Sequence, residues 1–534
     1  MRGRGSSCDT AGVTRWFNIA GPCFPDEHYM IPVARRAGAV YALIEQGRWF
    51  SLVSGRQTGK TTVVQSLADE LTARSERLVL WVDLQTARGV AEPEPAFREL
   101  LLLLERALRL DAPAVRLPSA EDMARWLEAP TSALMNYLHA VCAASERPLV
   151  LLFDEADVLC GAAMVSFLTQ LRALYLARHK RKAPWSVALI GVRAVRDYIV
   201  DDERRTVPWL GTASPFNLTV ENVGLSPFTE AEVGELLAQH TAETAQRFEA
   251  EAVARVFTLS AGHPWLVNAL ADQCTRRDVT DRDVAVAAAH VEAAKEAIIV
   301  ERRTHIDSLL ARLREDRVRR VIDPMIAGAT VPASQLDDDI AYVLALGLCR
   351  IVEGRCEAAN PIYREVIVRT LTYGTQVSLD QRTAWYVGAD GLLDVPKLMA
   401  AWQTYWRKDG HLAAEGFSYK ESGPHLMLMA FLQRVVYGGG RIEREYALGK
   451  GALDLLVAWR SGALPQRVAI EVKLRRDTET EDEALEQVRG YLDGLGLQEG
   501  WLVMFDLRAT APWSERLFMR EREVGGCVVR VVGC

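Results

Sequence analysis

Nine residues, SGRQTGKTT from Ser54 to Thr62, leave this chain few choices. Two glycines and several small polar residues stand between an apolar stretch, WFSLVS, and a helix-like stretch, LADELTARSE. A loop of that make-up joins a strand to a helix start, because glycine admits backbone turns that other residues resist. From Trp49 to about Ser226, short apolar runs (WFSLVS, LVLWVDL, LVLLFDE, SVALIGV) alternate with helical periods. Strands that are apolar on both faces and separated by helices predict a parallel sheet covered on two sides. The predicted class is α/β.

One such sheet does not use up the chain. At 534 residues the length points to about three or four domains. Hydrophobic residues at 49% and charged residues at 25% are ordinary for a soluble globular protein and argue against wholesale disorder. A net charge of -7 provides no general pull on nucleic acid, so any such contact needs a local basic face. Nine cysteines without a CxxC pair fit neither a disulfide framework nor a structural zinc site, which favours a reducing, cytoplasmic setting. The basic start MRGRGSSCDTAG lacks the apolar run of a secretory signal, and no stretch reaches the roughly 18–20 apolar residues of a membrane span. No membrane partner is expected.

The glycine loop has the form of a phosphate cradle when it sits between strand and helix. Backbone amides of Gly55, Arg56, Gln57, Thr58 and Gly59 would face the phosphates, Lys60 would reach the β and γ oxygens, Thr61 would hold Mg²⁺, and Thr62 closes the motif. Ser54 takes the place of the motif's first glycine. Downstream, LVLLFDEAD ends a buried strand in two carboxylates; Asp154 is expected in the Mg²⁺ shell and Glu155 beside the attacking water. The expected cofactors are ATP and Mg²⁺. SVALIGVRAVRDY resembles the strand that carries sensor residues in AAA-type ATPases, and the resemblance implies that Arg193 or Arg196 senses the γ-phosphate.

Further along, FTEAEVGELLAQH opens with a Thr-x-x-Glu cap and starts a helical region running to about Val300. SPFNL, the FTEAEV helix start and SAGHPWLVNAL together resemble AAA-like ATPases near the STAND group. In that group the lid carries a G-x-P signature, matched by Gly262, His263 and Pro264, and the resemblance implies that Pro264 lies against the nucleotide. FNIAGPCFPDEHYMIP resembles the family's N-terminal segment, and NPIYREVI resembles the end of its winged helix, which LCRIVEGRCEAAN with its turn at Gly354 would supply with a strand pair.

A second constellation lies near the C-terminus. In IEVKL, side chains two apart share one face of a strand, so Glu471 and Lys473 stand together while Ile470, Val472 and Leu474 face away. An aspartate on a preceding strand, a hairpin, then Glu-x-Lys resembles the PD-(D/E)XK nuclease core. The resemblance implies Asp454 and Glu471 as ligands for one or two Mg²⁺ ions, with Lys473 orienting the attacking water. Glu421 before an apolar helix and Gln487, four residues from Tyr491 on one helix face, are further candidates. Leu453 replaces the usual proline, and no arginine falls between Gly451 and Asp454.

The expected organisation is an N-terminal segment (1–40), a P-loop ATPase core (41–235), a helical lid (236–300), a winged-helix-like domain (301–371), a linker (372–394) and a restriction-endonuclease-like α/β domain (395–534). The function this implies is an ATP-hydrolysing protein whose nucleotide state governs a Mg²⁺-dependent DNA endonuclease, suited to defence against foreign DNA. Two other readings stay open: a STAND-like regulatory ATPase that binds DNA without cutting it, and a nucleotide-switched oligomerising scaffold. Expected partners are DNA or RNA, and either a second copy of the chain or a regulatory protein.

Overall fold

The computed structural model describes residues 15–191, 221–301, 304–326, 331, 337–367, 369, 386–388, 390–410, 424, 427–429, 431–432, 441–448, 451–459, 466–475, 480–506 and 512–534. The chain divides into two compact units. One comprises residues up to Leu309 with Ser334–Val352 and Glu357–Arg364; the other comprises Leu310–Ala333, Glu353–Cys356 and Glu365–Cys534. Among the described residues no helix is long and apolar enough to cross a membrane.

The first unit is built on five parallel strands: β1 (Trp49–Val53), β2 (Leu78–Asp83), β3 (Leu149–Asp154), β4 (Ser186–Gly191) and β5 (Glu221–Val223). Their spatial order is β2-β3-β4-β1-β5. Alternate residues of β1 to β4 feed two separate cores, which is why those strands are largely apolar, whereas the short edge strand β5 is mostly exposed. Leu149, Leu151 and Phe153 join Leu100, Leu104, Leu134, Leu138, Phe167 and Leu171 from helices Pro93–Asp111, Pro130–Ala144 and Gly161–Ala177. Val150 and Leu152 face the other way, onto Val40, Ile44, Val63, Val64 and Leu67 of helices Gly38–Glu45 and Lys60–Ala73. Both faces being buried, the sheet is the covered parallel type expected from the apolar runs.

Helices Glu230–Thr244, Ala250–Ser260, Pro264–Gln273 and Ala288–Val300 follow the sheet. The first has a complete capping box: the Thr229 hydroxyl accepts from the Glu232 amide at 3.2 Å, and the Glu232 carboxylate accepts from the Thr229 amide at 2.8 Å. This helix begins at Glu230, so a lid boundary at residue 236 falls inside it. Residues 301–371 hold helices Thr304–Arg312, Asp316–Ile326 and Asp338–Ala345 and the strand pair β6 (Cys349–Val352) and β7 (Arg355–Ala358). Gly354, at positive φ, lies in the turn between those strands.

In the second unit, β8 (Arg441–Leu448), β9 (Gly451–Trp459), β10 (Gln466–Arg475), β11 (Glu499–Asp506), β12 (Met519–Val524) and β13 (Cys527–Gly533) form a mixed sheet ordered β12-β13-β11-β10-β9-β8. β10, β11 and β13 run parallel, while β8 and β9 are joined antiparallel on one side and β12 on the other. Helix Thr480–Leu495 crosses from β10 to β11 and packs Ala484, Val488 and Leu492 on one sheet face. Helix Val395–Tyr405 packs Leu398, Met399 and Trp402 on the other.

The expected linker departs from expectation at its C-terminal end. Tyr386 and Leu393 are buried in the core of the second unit, and Gln466 holds Leu393 by accepting from its amide at 2.7 Å and donating to its carbonyl at 3.0 Å. Trp459 donates its indole N–H to the Gly391 carbonyl at 2.8 Å. The segment lacks periodicity because it is a tight turn pinned by side chains from elsewhere, which no local pattern records.

Candidate functional sites

The glycine loop leaves β1 beside β4, with the Ser54 amide donating to the Gly191 carbonyl at 3.3 Å. β4 separates β1 from β3, so the carboxyl ends of β1 and β3 flank a crevice of the kind that binds ligands in open α/β sheets. Gly59, with φ +89°, caps helix Lys60–Ala73, and Gln57 also takes a positive φ of 56°. Such a left-handed turn at a helix N-terminus aims successive backbone amides outward, which suits an anion.

Lys60 is buried and folds back onto the loop, donating from Nζ to the carbonyls of Ser54 (2.8 Å) and Gly55 (2.7 Å). Burial pushes its ammonium below the usual lysine range, while Asp157, Glu155 and Asp154 pull it back up. Across the crevice, burial pushes the Asp154 carboxyl up, and hydrogen bonds from the Thr61 hydroxyl and from the Glu155 amide (3.0 Å) oppose that rise. Glu155 sits in the left-handed region at φ 52° and pairs with Arg88 at 3.2 Å. Its carboxyl is raised, first by burial and then by Asp157 and Asp154. Lys60, Thr61, Asp154 and Glu155 therefore meet in one charged crevice. Thr62 faces the N-terminal segment instead, accepting from the Cys23 amide at 3.0 Å.

Pro264 begins helix Pro264–Gln273, and the turn before it packs against the segment at Phe228. Gly262 makes this approach possible: at φ +73°, its missing Cβ would lie 1.9 Å from the Phe228 carbonyl oxygen, whose own amide donates to the Gly262 carbonyl at 2.8 Å. Gly262→Ala is expected to cost about 3 kcal/mol or more, since the clash is with backbone and the dihedral resists a side chain. Thermal unfolding of the full chain checks this; an unshifted midpoint would mean that the backbone yields freely.

In the second unit, Glu471 and Lys473 lie on β10 and are ion-paired at 2.8 Å. Glu471 is 2% exposed, whereas the Lys473 side chain is 31% exposed. Their neighbours Ile470 and Val472 point into the opposite core. Asp454 precedes Leu455, the backbone partner of Ile470, so Asp454 and Glu471 are successive positions on the two adjacent strands. The side chain of Asp454, and all of Glu421, Arg193, Arg196 and SPFNL, lie outside the described residues. Gln487 is exposed on helix Thr480–Leu495, and Tyr491 packs at the edge of the core beneath it. Among the described residues no group of three or more His, Cys, Asp and Glu side chains gathers as a metal cage.

Sequence reasoning missed several residues of the first site. Asp157 follows the acidic pair by two positions and could have been found from that spacing. Arg88 and Arg36 carry no motif. Arg36 donates to the carbonyls of Thr58 (3.1 Å) and Ser226 (3.0 Å) and lies over the Phe228 ring at 4.9 Å. It ties the glycine loop to the segment leading into the lid.

The family described as an AAA-like domain matches residues 27–368. Among solved structures, the chain is similar to a Walker-type ATPase of Pyrococcus abyssi at 13% identity, covering 66% of this chain and 99% of that one, with a TM-score of 0.47. It is also similar to the ORC2 protein of Aeropyrum pernix (13% identity, 65% and 95% covered, TM-score 0.39). A third is the RuvB Holliday junction branch migration motor of Thermotoga maritima (14%, 62% and 92%, 0.33). No curated protein matches the chain.

Proposed function

The chain belongs to the AAA-like domain family, and from that premise we propose that its first unit binds and hydrolyses ATP while its second cuts phosphodiester bonds in DNA. The observation that supports the first half is the meeting of Lys60, Thr61, Asp154 and Glu155 at the ends of β1 and β3, under a helix N-terminus. These residues fit a magnesium-bound nucleotide. The loop amides and Lys60 hold phosphate oxygens, and Thr61 and Asp154 hold the ion, which when bound offsets phosphate charge. Glu155, whose proton affinity is raised, orients the attacking water and accepts its proton.

For the second half, the support is the buried Glu471 paired with Lys473, next in register to Asp454. Burying a carboxylate on a sheet face is costly even with Lys473 paired to it, and brings no packing gain over an aliphatic residue. A divalent ion held by Asp454 and Glu471 accounts for that cost, and Lys473 positions a water against the phosphate. In this reading nucleotide state governs cleavage.

The test is Mg²⁺-dependent cleavage of single-stranded, duplex and branched DNA by the full chain, each with and without ATP. Absence of cleavage on all three would remove the second half. Glu155→Gln is expected to slow ATP turnover on the order of a hundredfold or more while leaving ATP affinity within a few-fold, because it removes a proton acceptor and not a phosphate contact. Equal turnover by this variant would reassign the base.

A further inference from the structure

The parallel strands of the first unit begin at the end of the sheet away from the glycine loop, and the segments leading into three of them are basic. Arg48 directly precedes β1, Arg147 lies just before β3, and the run RHKRK, Arg178 to Lys182, leads into β4. Hydrogen bonds knit these segments together. The Ser186 hydroxyl donates to the Arg48 carbonyl at 2.6 Å, the Trp185 amide to the Leu149 carbonyl at 2.7 Å, and Lys182 Nζ to the Ser145 carbonyl at 3.3 Å. β3, β4 and β1 are neighbours in the sheet, so with strands about 4.8 Å apart they set these cations along a front of roughly 10 Å.

This front lacks the counter-charges found on the rest of the unit. Arg74 pairs with Glu70 at 2.6 Å, Arg77 with Glu45 at 2.6 Å and Arg98 with Glu94 at 2.9 Å. Among the described residues, no carboxylate lies within ion-pair distance of Arg48, Arg147, Arg178, Lys180, Arg181 or Lys182, all of them exposed or half-buried. Two exposed carboxylates, Glu76 and Glu146, share this end of the sheet and do not balance six cations. In a chain whose net charge is -7, a local concentration of unpaired positive charge is the footprint of a polyanion.

Trp185 adds an apolar ring at the same place. It is 42% exposed, yet its indole N–H donates to the Ile44 carbonyl at 2.8 Å, and a Cβ on Gly47 would stand 3.0 Å from its ring. A ring pinned in this way offers a fixed face to a sugar or a base and is not free to enter a lipid layer.

We propose that this end of the sheet is a docking surface for the phosphate backbone of duplex DNA, held by Arg48, Arg147 and the Arg178 to Lys182 run. The choice of DNA among polyanions rests on the cleavage reading of the second unit. Duplex DNA carries one charge per about 1.7 Å of its axis, dense enough to meet several of these cations at once. Contacts of this kind hold the duplex without reading its sequence.

The test combines Arg178→Gln, Lys180→Gln, Arg181→Gln and Lys182→Gln in the full chain. Binding to a labelled duplex of mixed sequence is titrated at several salt concentrations in EDTA, which withholds the metal needed for cleavage. Each phosphate neutralised contributes about 0.9 to the slope of log affinity against log salt. The expected result is a slope shallower by about three and an affinity lower on the order of a hundredfold at about 0.1 M salt, with the thermal midpoint kept. A merely structural role would move the midpoint and leave the slope alone. An unchanged slope in the folded variant overturns the docking surface. So does wild-type protein that leaves the duplex unbound, or that uses these four residues to bind vesicles of anionic lipid while ignoring the duplex. Wild-type protein that binds the duplex through this run and never cuts it in Mg²⁺ removes the cleavage reading and keeps the docking surface.

Discussion

Lys60→Ala is expected to weaken ATP binding on the order of a hundredfold, about 3 kcal/mol, the upper range for a hydrogen bond from a charged donor to an ionised partner. The side chain is already in place: it is buried, and its Nζ rests on the Ser54 and Gly55 carbonyls, a short swing from where phosphate oxygens would lie. Loss of the ammonium also removes the positive charge that Asp154, Glu155 and Asp157 surround. Those three carboxylates would then repel a triphosphate with less to offset them. Calorimetric titration measures the affinity, and ATP-dependent stabilisation in a thermal shift checks it independently, since stabilisation follows the ratio of ligand to Kd. Unchanged affinity in a folded variant would remove this loop as the nucleotide site.

Glu471→Gln should reduce Mg²⁺-dependent DNA cleavage on the order of a hundredfold or more while leaving ATP turnover intact. The substitution is isosteric and keeps β10 filled, so a loss of cleavage will not be a loss of fold. It discards the negative charge that a hard divalent ion needs. Lys473→Met provides the complementary arm: it keeps an apolar stem of similar length along the sheet face but strips the charge facing the phosphate. That variant leaves Glu471 without its 2.8 Å partner, so some destabilisation is expected beside the loss of cleavage, and circular dichroism separates the two. Gel assays on plasmid and oligonucleotide DNA read the cleavage. Wild-type cutting by Glu471→Gln would reduce the Glu471 and Lys473 pair to an ordinary ion pair.

Much of this protein was legible without coordinates because the signals were local. Apolar runs without alternation announced strands buried on both faces, and Leu151 and Leu152 do serve two different cores. The Thr229 to Glu232 spacing announced a capped helix, and the period of two in IEVKL put Glu471 beside Lys473. Each depends on side chains a few residues apart, where backbone geometry alone decides who is near whom.

What tertiary structure decided has no such period. Arg88 reaches Glu155 across 67 positions, Trp265 bonds Ile19 across 246, and His305 meets Tyr363 across 58. The 386–394 turn looked like a linker because the residues that hold it, Gln466 and Trp459, come from a hairpin far along the chain. The amino-acid order by itself determined the strands, the loop and the residue types offered to the chemistry. The packing of two cores around a sheet decided which distant side chains surround that loop, because contact energy depends on distance in space, and folding sets that distance without regard to separation along the chain.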